Sequence, residues 1–576
     1  MRAFGRMPIL SPLSPDPALF ALSAPPRLAM PRVLITDNLA PVGRDILEAA
    51  DGIEVDIRDG INKEDTREEL KAALAEADGI IIRSATKLRP DVLEGQTRLK
   101  AIVRAGVGTD NIDKEAATRA GIVVMNTPGG NTISTAEHTV AMLLALSRNI
   151  APAAQSMREG RWDRKKYTGS QVAGKTIAVV GLGRIGQEVA KRCLGLEMKV
   201  IGFDPIMNAD HAKELGIKLV RDVDELIGEC DYLTVHTPLN DHTRDLINAE
   251  RLAKMKPGAR LINCARGGII NESDLADAIE SGHIGGAALD VFTSEPPTDR
   301  RLVELPQVLS VPHLGASTEE AQEQVALEAA EIMVGFLSRG EIRHPVNMSS
   351  ISAEEMETVR PYLNLGYRLG ALVGQMPHDP VGKVQLQYRG EAASKPTALV
   401  TSAFTAGLLE QAMEGRPDII NASMLAKERG IEIEESTSSE TGNFATLVTA
   451  TICCSGGSET RVAGTMFGES FLRLVRVDDF QLDAYLDGTM IIYRHRDVPG
   501  LIGAVGTVLG EAGVNISHMA VGRKAAEPGG DAIGVLNLDS KPEPSVLEKI
   551  ATLDSVQSVQ LVELPKAGEP LPFFGG

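Results

Sequence analysis

The segment that most limits what this chain can become is TIAVVGLGRIGQEVA, residues 176–190. An apolar run ends in Gly181-x-Gly183-x-x-Gly186 and gives way at once to helical periodicity. A second apolar run, KVIGFD, then closes on Asp204. Turns produce a lone G-x-G-x-x-G by chance. Set between a strand and a helix, with an acid ending the next strand, it is the dinucleotide fingerprint of a Rossmann-type domain. Gly181 permits the tight turn, Gly183 lets the backbone approach a pyrophosphate, and Gly186 lets the helix lie close to its strand. The helix N-terminus points free N–H groups at the phosphates. Asp204 can accept from ribose hydroxyls and would repel a 2′-phosphate, which favours NAD over NADP. A glycine turn in an unrelated α/β domain is the competing reading.

The fingerprint sits inside a longer alternation. From Arg32 to about Met125, short apolar runs (RVLITD, IEVDI, GIIIRS, AIVRAG, IVVMN) alternate with polar helical segments, as in an open α/β sheet. ISTAEHTVAMLLALSR reads as a long buried helix, with Ser134 or Thr135 as its cap and His138 as a core histidine. A second series follows: TIAVVG, KVIGFD, YLTVHTP, RLINCARG, GAALDVF and VLSVPH. Such near-continuous apolar strands between helices imply a parallel sheet covered on both faces. After HPVN, residues 344–347, a helical stretch leads into β-rich sequence. The last eighty or so residues read strand, helix, strand, strand, helix, strand, the order of a ferredoxin-like module.

At 576 residues the chain has room for about three to four domains. A net charge of −19 opposes binding to nucleic acid or anionic membranes, and 3% aromatic residues argues against base-stacking platforms. An anionic substrate would therefore need a locally basic pocket. No run of eighteen apolar residues suggests a membrane span. The five cysteines (193, 230, 264, 453, 454) lack metal-ligand spacing, so no metal is expected and a reducing compartment fits best. Residues 1–30 are proline-rich, basic and almost free of acids. They read either as an organelle-targeting leader or, the favoured reading, as an over-extended start, since Met30 stands just before RVLITD. The expected location is the cytoplasm, or a plastid stroma if the leader is genuine.

In sheets of this kind chemistry gathers beyond the carboxyl ends of the strands. Those ends carry Thr237-Pro238, Arg266 in NCARGG, Asp290 in ALDVF with Glu295 just after, and His313 in VLSVPHLGAST. Oxidation of a secondary alcohol needs a base for the hydroxyl proton while hydride leaves, and imidazole has a suitable pKa. Glu295 would orient the ring and stabilise its charged form. Arg266 can hold a substrate carboxylate by two parallel hydrogen bonds. His236, also near a strand end, is the rival base, although sheet packing or a cofactor contact accounts for it.

Taken together, GLGRIG, VIGFDP, HTPL, NCARGGIINESDLADAI, ALDVFTSEPP and PHLGAST resemble the D-isomer-specific 2-hydroxyacid dehydrogenases. VRAGVGTDNID and IIRSATKL are similar to the long-form branch whose substrate is 3-phosphoglycerate, and the resemblance runs from about Arg32 to Glu563. It implies NAD-dependent oxidation of 3-phospho-D-glycerate, the entry to serine synthesis, with Arg266, Glu295 and His313 as catalytic residues. It implies NAD contacts at Gly181, Gly183, Arg184, Ile185, Gly186, Asp204, Thr237, Cys264, Ala265, Asp290, Gly315 and Ala316, and at Val107, where many relatives carry threonine. It puts the substrate phosphate near Arg83, Ser84, Arg104 and either Arg164 or Lys165.

IIYRHRDVPGLIGAVGTVLGEAGVNISHMAVGR resembles an ACT domain. That likeness implies modules that pair across subunits, an L-serine site at His495, Asp497 and Asn515, and a homotetramer; His495 stands where some relatives have tyrosine. The expected division is an extension over 1–30, a flavodoxin-like substrate domain over 31–128 and 317–346, and a Rossmann-type NAD domain over 129–316. An α+β intervening domain over 347–487 and the ACT domain over 488–565 complete it. Two competing readings are a glyoxylate or hydroxypyruvate reductase, which normally lacks the two C-terminal regions, and an NAD(H)-sensing corepressor, which would want a peptide groove and disordered tails.

Overall fold

Val33–Ile35, Ile80–Ile82, Ala101–Val103 and Val123–Met125 are uninterrupted apolar runs because both faces of their sheet are covered. In the computed structural model, which describes residues 30–571 apart from 63, 378, 414–416, 469–470, 525–528 and 570, they belong to five parallel strands. These are β1 (Arg32–Ile35), β2 (Glu54–Ile57), β3 (Gly79–Ile82), β4 (Ala101–Arg104) and β5 (Val123–Asn126), in the order β2-β1-β3-β4-β5. That is the doubly wound, flavodoxin-like order expected. The extension expected over 1–30 lies, but for Met30, outside the described residues. One face of the sheet is closed from far along the chain by the helix Glu319–Arg339, whose Val325, Ala326, Ala329 and Met333 share a core with Val33, Ile81 and Val103.

The second sheet has seven parallel strands: β6 (Thr176–Val180), β7 (Lys199–Phe203), β8 (Lys218–Val220), β9 (Tyr232–Val235), β10 (Arg260–Asn263), β11 (Gly286–Leu289) and β12 (Val308–Ser310). The order β12-β11-β10-β9-β6-β7-β8 reverses direction at β6, the point where a Rossmann-type sheet opens its ligand crevice. The helices Thr132–Ser147 and Arg184–Gly195 contribute Met142, Leu143, Val189 and Ala190 to the core on one face. The first of them begins at Thr132 with Asn131 before it, so neither Ser134 nor Thr135 is the cap expected from the sequence. The chain enters the helix straight from the turn at Gly129 and Gly130, and the two hydroxyls instead donate to Gly315 O at 2.7 and 3.3 Å.

The third sheet comprises β13 (Val381–Gly390), β14 (Glu432–Ser438), β15 (Thr446–Cys454), β16 (Glu459–Phe467), β17 (Phe471–Val477) and β18 (Phe480–Tyr485). Their order is β14-β13-β15-β16-β17-β18, antiparallel except for β13 with β14. The helices Ala353–Gly374 and Thr397–Leu409 supply its core, and Gly370 lets them touch: a Cβ there would lie 1.9 Å from Phe404 O. The fourth sheet, β19 (Thr489–Arg496), β20 (Ile516–Arg523), β21 (Asp531–Leu538) and β22 (Val556–Glu563), has the ferredoxin-like order β20-β21-β19-β22. One of its faces carries the helices Leu501–Glu511 and Pro544–Ala551, and the other joins the core of the third unit through Met490, Ile492, Val535 and Val562. Among the described residues no helix is long and apolar enough to cross a membrane.

Candidate active site

β6 delivers the chain to Gly181, whose φ of +93° and packing against His236 both demand glycine: a Cβ would lie 2.6 Å from His236 O. Gly186 meets Gly181 O in the same way, at 2.0 Å. Gly183 differs. Nothing in the protein comes within 4 Å of the Cβ it lacks, and it stands exposed where the helix Arg184–Gly195 begins. The fold does not need glycine there, whereas a pyrophosphate lying on the backbone would. Asp204, just past β7, is drawn over the same loop: Oδ2 accepts from Leu182 N–H at 2.9 Å and Oδ1 from Ile206 and Met207 N–H. Thr237 Oγ1 is buried without a hydrogen-bond partner. An open glycine cradle, an anchored acid and an unsatisfied hydroxyl together fit a dinucleotide.

Beyond the strand ends a cleft of about 340 Å³ opens between the first two sheets. Of the residues expected to serve a site, Val107, Ile185, Thr237, Cys264, Ala265, Arg266, Asp290, His313, Gly315 and Ala316 line it. His313 has φ +54°, a left-handed conformation uncommon for a residue with a side chain, though histidine is among those that adopt it more often. Its Nδ1 lies 2.7 Å from Glu295 Oε2, and Glu295 Oε1 accepts from Phe292 N–H at 3.2 Å. Burial pushes the Glu295 carboxyl up; the hydrogen bond and charge of His313 pull it further down, and the net pKa lies below the ordinary value. An ionised Glu295 can only accept, so Nδ1 is the donor of this pair, and in the neutral ring the lone pair falls on Nε2.

Asp290 is held just as firmly. Oδ1 accepts from Leu314 N–H at 2.6 Å, Oδ2 from Gly315 N–H at 2.9 Å, and His138 Nε2 stands 3.3 Å from Oδ1. Burial would raise this carboxyl, but His138 and the two N–H groups outweigh it and the pKa falls below the ordinary value. The Cys264 thiol, which is buried, is pushed up to about 12 and stays protonated. The rival base, His236, is pushed down to about 4 by burial, with Nε2 beside Thr234 Oγ1 at 3.0 Å, which leaves it a weak base at neutral pH.

Arg266 reaches across the cleft. Its Nε donates to Asp110 Oδ2 at 3.0 Å on the opposite lobe and its Nη1 to Ala265 O at 2.6 Å, with Gly108 leaving room for the guanidinium. Arg104 is pushed down to about 10, first by burial and then by the charges of Arg266 and Arg83, yet it remains a cation at neutral pH. Its Nε is buried without a partner. Arg104 thus stands beside two further guanidinium groups, Arg266 and Arg83, a local concentration of positive charge in an acidic protein. None of the residues expected near the substrate phosphate, Arg83, Ser84, Arg104, Arg164 and Lys165, is among those lining this cleft, and Ser84, Arg164 and Lys165 are exposed.

In the fourth sheet, His495 is buried and stacked on Tyr493, with Nδ1 donating to Arg496 O. Asp497 pairs with Arg523 at 2.9 Å, and Asn515 Nδ2 donates to Asp539 at 2.6 Å.

Residues at the site that the sequence reading did not assign to it include Asp110, Lys114 and His138. Asp110 lines the cleft from a loop and Lys114 from the first turn of the helix Lys114–Arg119, with no strand end to mark either. His138 did carry a signal. Ser134, Thr135, His138 and Thr139 form a polar stripe on one face of a largely apolar helix.

The chain matches family models for the D-isomer specific 2-hydroxyacid dehydrogenase NAD binding domain over residues 140–315, the D-3-phosphoglycerate dehydrogenase intervening domain over 358–478 and the ACT domain over 489–554. It is 40% identical over 93% of its length to the whole D-3-phosphoglycerate dehydrogenase of Bacillus subtilis. It is also 41% identical over 96% of its length to 98% of the Synechocystis enzyme of that name. Among solved structures, 55% of the chain superimposes on 99% of a glyoxylate reductase from Paecilomyes thermophila (28% identity, TM-score 0.51). Another 56% overlap covers all of an NAD-dependent formate dehydrogenase from Staphylococcus aureus in complex with NAD (30% identity, TM-score 0.50).

Proposed function

The chain belongs to the D-3-phosphoglycerate dehydrogenases, a branch of the D-isomer specific 2-hydroxyacid dehydrogenases, and from its geometry we infer that His313, Glu295 and Arg266 carry its chemistry. It is an NAD-dependent oxidoreductase that converts 3-phospho-D-glycerate to 3-phosphohydroxypyruvate, the first step of L-serine biosynthesis. NAD, when bound, accepts the hydride from C2. The protein's part is to place that carbon and take the proton. Arg266 grips the substrate carboxylate, and Arg104 with Arg83 holds the phosphate, so that the C2 hydroxyl meets His313 Nε2. Nε2 takes the hydroxyl proton, and the ionised Glu295 at 2.7 Å stabilises the imidazolium. Gly181, Gly183 and Gly186 with Arg184 seat the pyrophosphate, Asp204 the ribose, and the lining from Val107 to Ala316 the nicotinamide end.

The observation that carries this reading is the His313–Glu295 pair at the rim of the glycine-loop cleft, with Arg266 facing it. Formation of NADH, followed by absorbance with 3-phosphoglycerate and separately with glycerate, tests it. Marked preference for the phosphorylated acid is the expected outcome; preference for glycerate would sink the substrate assignment.

The finer readings rest on the same membership. We place the substrate unit at 31–128 and 317–346, the cofactor unit at 129–316, the intervening unit at 347–487 and the ACT unit at 488–565. L-serine is the effector we assign to the ACT unit, through His495, Asp497 and Asn515. We take the assembly to be a homotetramer; the exposed apolar side chains Ile133, Ile150, Met157 and Trp162 suit a contact between subunits. The five free thiols support work in a reducing cytoplasm.

A further inference from the structure

His313 adopts its left-handed conformation on a turn that hangs from Asp290. His313 N–H donates to Asp290 O at 2.9 Å, and the Asp290 carboxylate receives the next two N–H groups, those of Leu314 and Gly315. Both carboxylate oxygens are thus committed to the turn that carries the base. Behind them lies the helix Thr132–Ser147. Ser134 and Thr135 clamp Gly315 O, and His138, one turn further along the same face, brings Nε2 to 3.3 Å from Asp290 Oδ1. That nitrogen is buried and makes no hydrogen bond in the structure, so the Asp290 carboxylate, 3.3 Å away, is a close neighbour and not yet a bonded partner.

We propose that His138 is a positioning residue for the oxidation: through Asp290 it fixes the 313–315 turn and so sets where His313 Nε2 meets the substrate hydroxyl. The chain of contacts is short and one-directional. An Nε2–H on His138, 3.3 Å from Asp290 Oδ1, favours the one carboxylate rotation that serves both N–H groups at once. A carboxylate free to turn would lose one of them, and the strained backbone of His313 would have a lower-energy conformation within reach. The base would then lie displaced from its proton, and a shift of this kind lowers turnover more than it lowers binding. His138 touches neither substrate nor base. Its effect belongs to kcat. The idea rests on His313 being the base, as inferred above.

The test compares His138→Leu, which keeps the bulk and removes the donor, with His138→Gln, whose amide N–H stands near the place of Nε2–H. Folding is checked first by thermal melting. With 3-phosphoglycerate and saturating NAD, His138→Leu is expected to lose on the order of tenfold to a hundredfold in kcat, with KM and the NAD dissociation constant within about threefold of wild type. The alkaline-rising limb of its kcat/KM pH profile should shift relative to wild type, and His138→Gln should recover most of kcat. Wild-type kcat in His138→Leu, an effect confined to KM or NAD affinity, or a Gln variant no better than Leu would overturn the proposal. Failure of the parent reading looks different: the wild-type enzyme itself would not oxidise 3-phosphoglycerate, or His313→Ala would retain full turnover.

Discussion

At the scale of single residues, His313 and His236 show how position alters one side chain. Both lie just past strand ends. Replacing His313 by Ala removes the base without touching the glycine loop, so kcat should fall about a hundredfold or more while NAD still binds, as read by steady-state kinetics and by fluorescence titration of NADH. His236 is legible in the sequence as a second base, but its environment is not. Burial holds its folded pKa near 4 against 6.5 for the free group. Below pH 6.5 the unfolded chain takes a proton that the native ring refuses, so stability should erode as pH falls from 6.5 toward 4 and be unaffected by this group above 6.5. The shift sets an upper limit of roughly 3 kcal/mol on that loss. Urea midpoints at pH 7.5 and pH 5 for wild type and His236→Gln measure it, and equal slopes in the two proteins would reject the account. Glu295 and Asp290, with pKa values below the ordinary carboxylate range, lose their contributions only at still lower pH.

At the scale of elements, the strand–glycine loop–helix unit makes a prediction that separates folding from binding. Gly186→Ala forces a Cβ to 2.0 Å from Gly181 O and should lower the melting temperature. Gly183→Ala meets nothing in the protein and should melt as wild type does, while its NAD affinity falls. Calorimetry with and without NAD gives both numbers, and a Gly183→Ala protein that binds NAD normally would remove the cradle from the argument. The same unit shows what was readable. Strand, turn, helix and closing Asp204 are local features with local causes. The cap of the helix Thr132–Ser147 was misjudged because Ser134 and Thr135 look like caps until a loop nearly two hundred residues away supplies Gly315 O as their acceptor.

For the whole molecule, the two C-terminal sheets are joined by a buried arginine. Arg368, 1% exposed, donates to Leu486 O at 3.1 Å, to Lys566 O at 3.0 Å and to Pro565 O, and so ties the Ala353–Gly374 helix to both ends of the ferredoxin-like sheet. Arg368→Met leaves three carbonyls without that donor in a buried junction. It should destabilise the protein by on the order of 3 kcal/mol, with proteolysis appearing first around residues 486–488. If L-serine acts through the ACT unit, this junction lies on its route to the catalytic lobes. Isothermal titration of serine into wild type and Arg368→Met, alongside NADH assays, would then show binding retained and inhibition weakened.

Sequence alone determined the periodicities, the glycine spacing and the acid at Asp204, and through them two parallel sheets, a nucleotide crevice and the list of strand-end residues able to do chemistry. Those follow from backbone sterics and from apolar burial repeating at short range. Only the tertiary structure decided which histidine has a partner at 2.7 Å, that Arg266 spans two lobes to reach Asp110, and that His138 faces Asp290 instead of lying inert in a helix core. Hydrogen bonds and desolvation act over a few ångströms, and residues 18 positions apart, as His313 and Glu295 are, or more than 150 apart, as Arg266 and Asp110 are, come that close only after the sheets have packed.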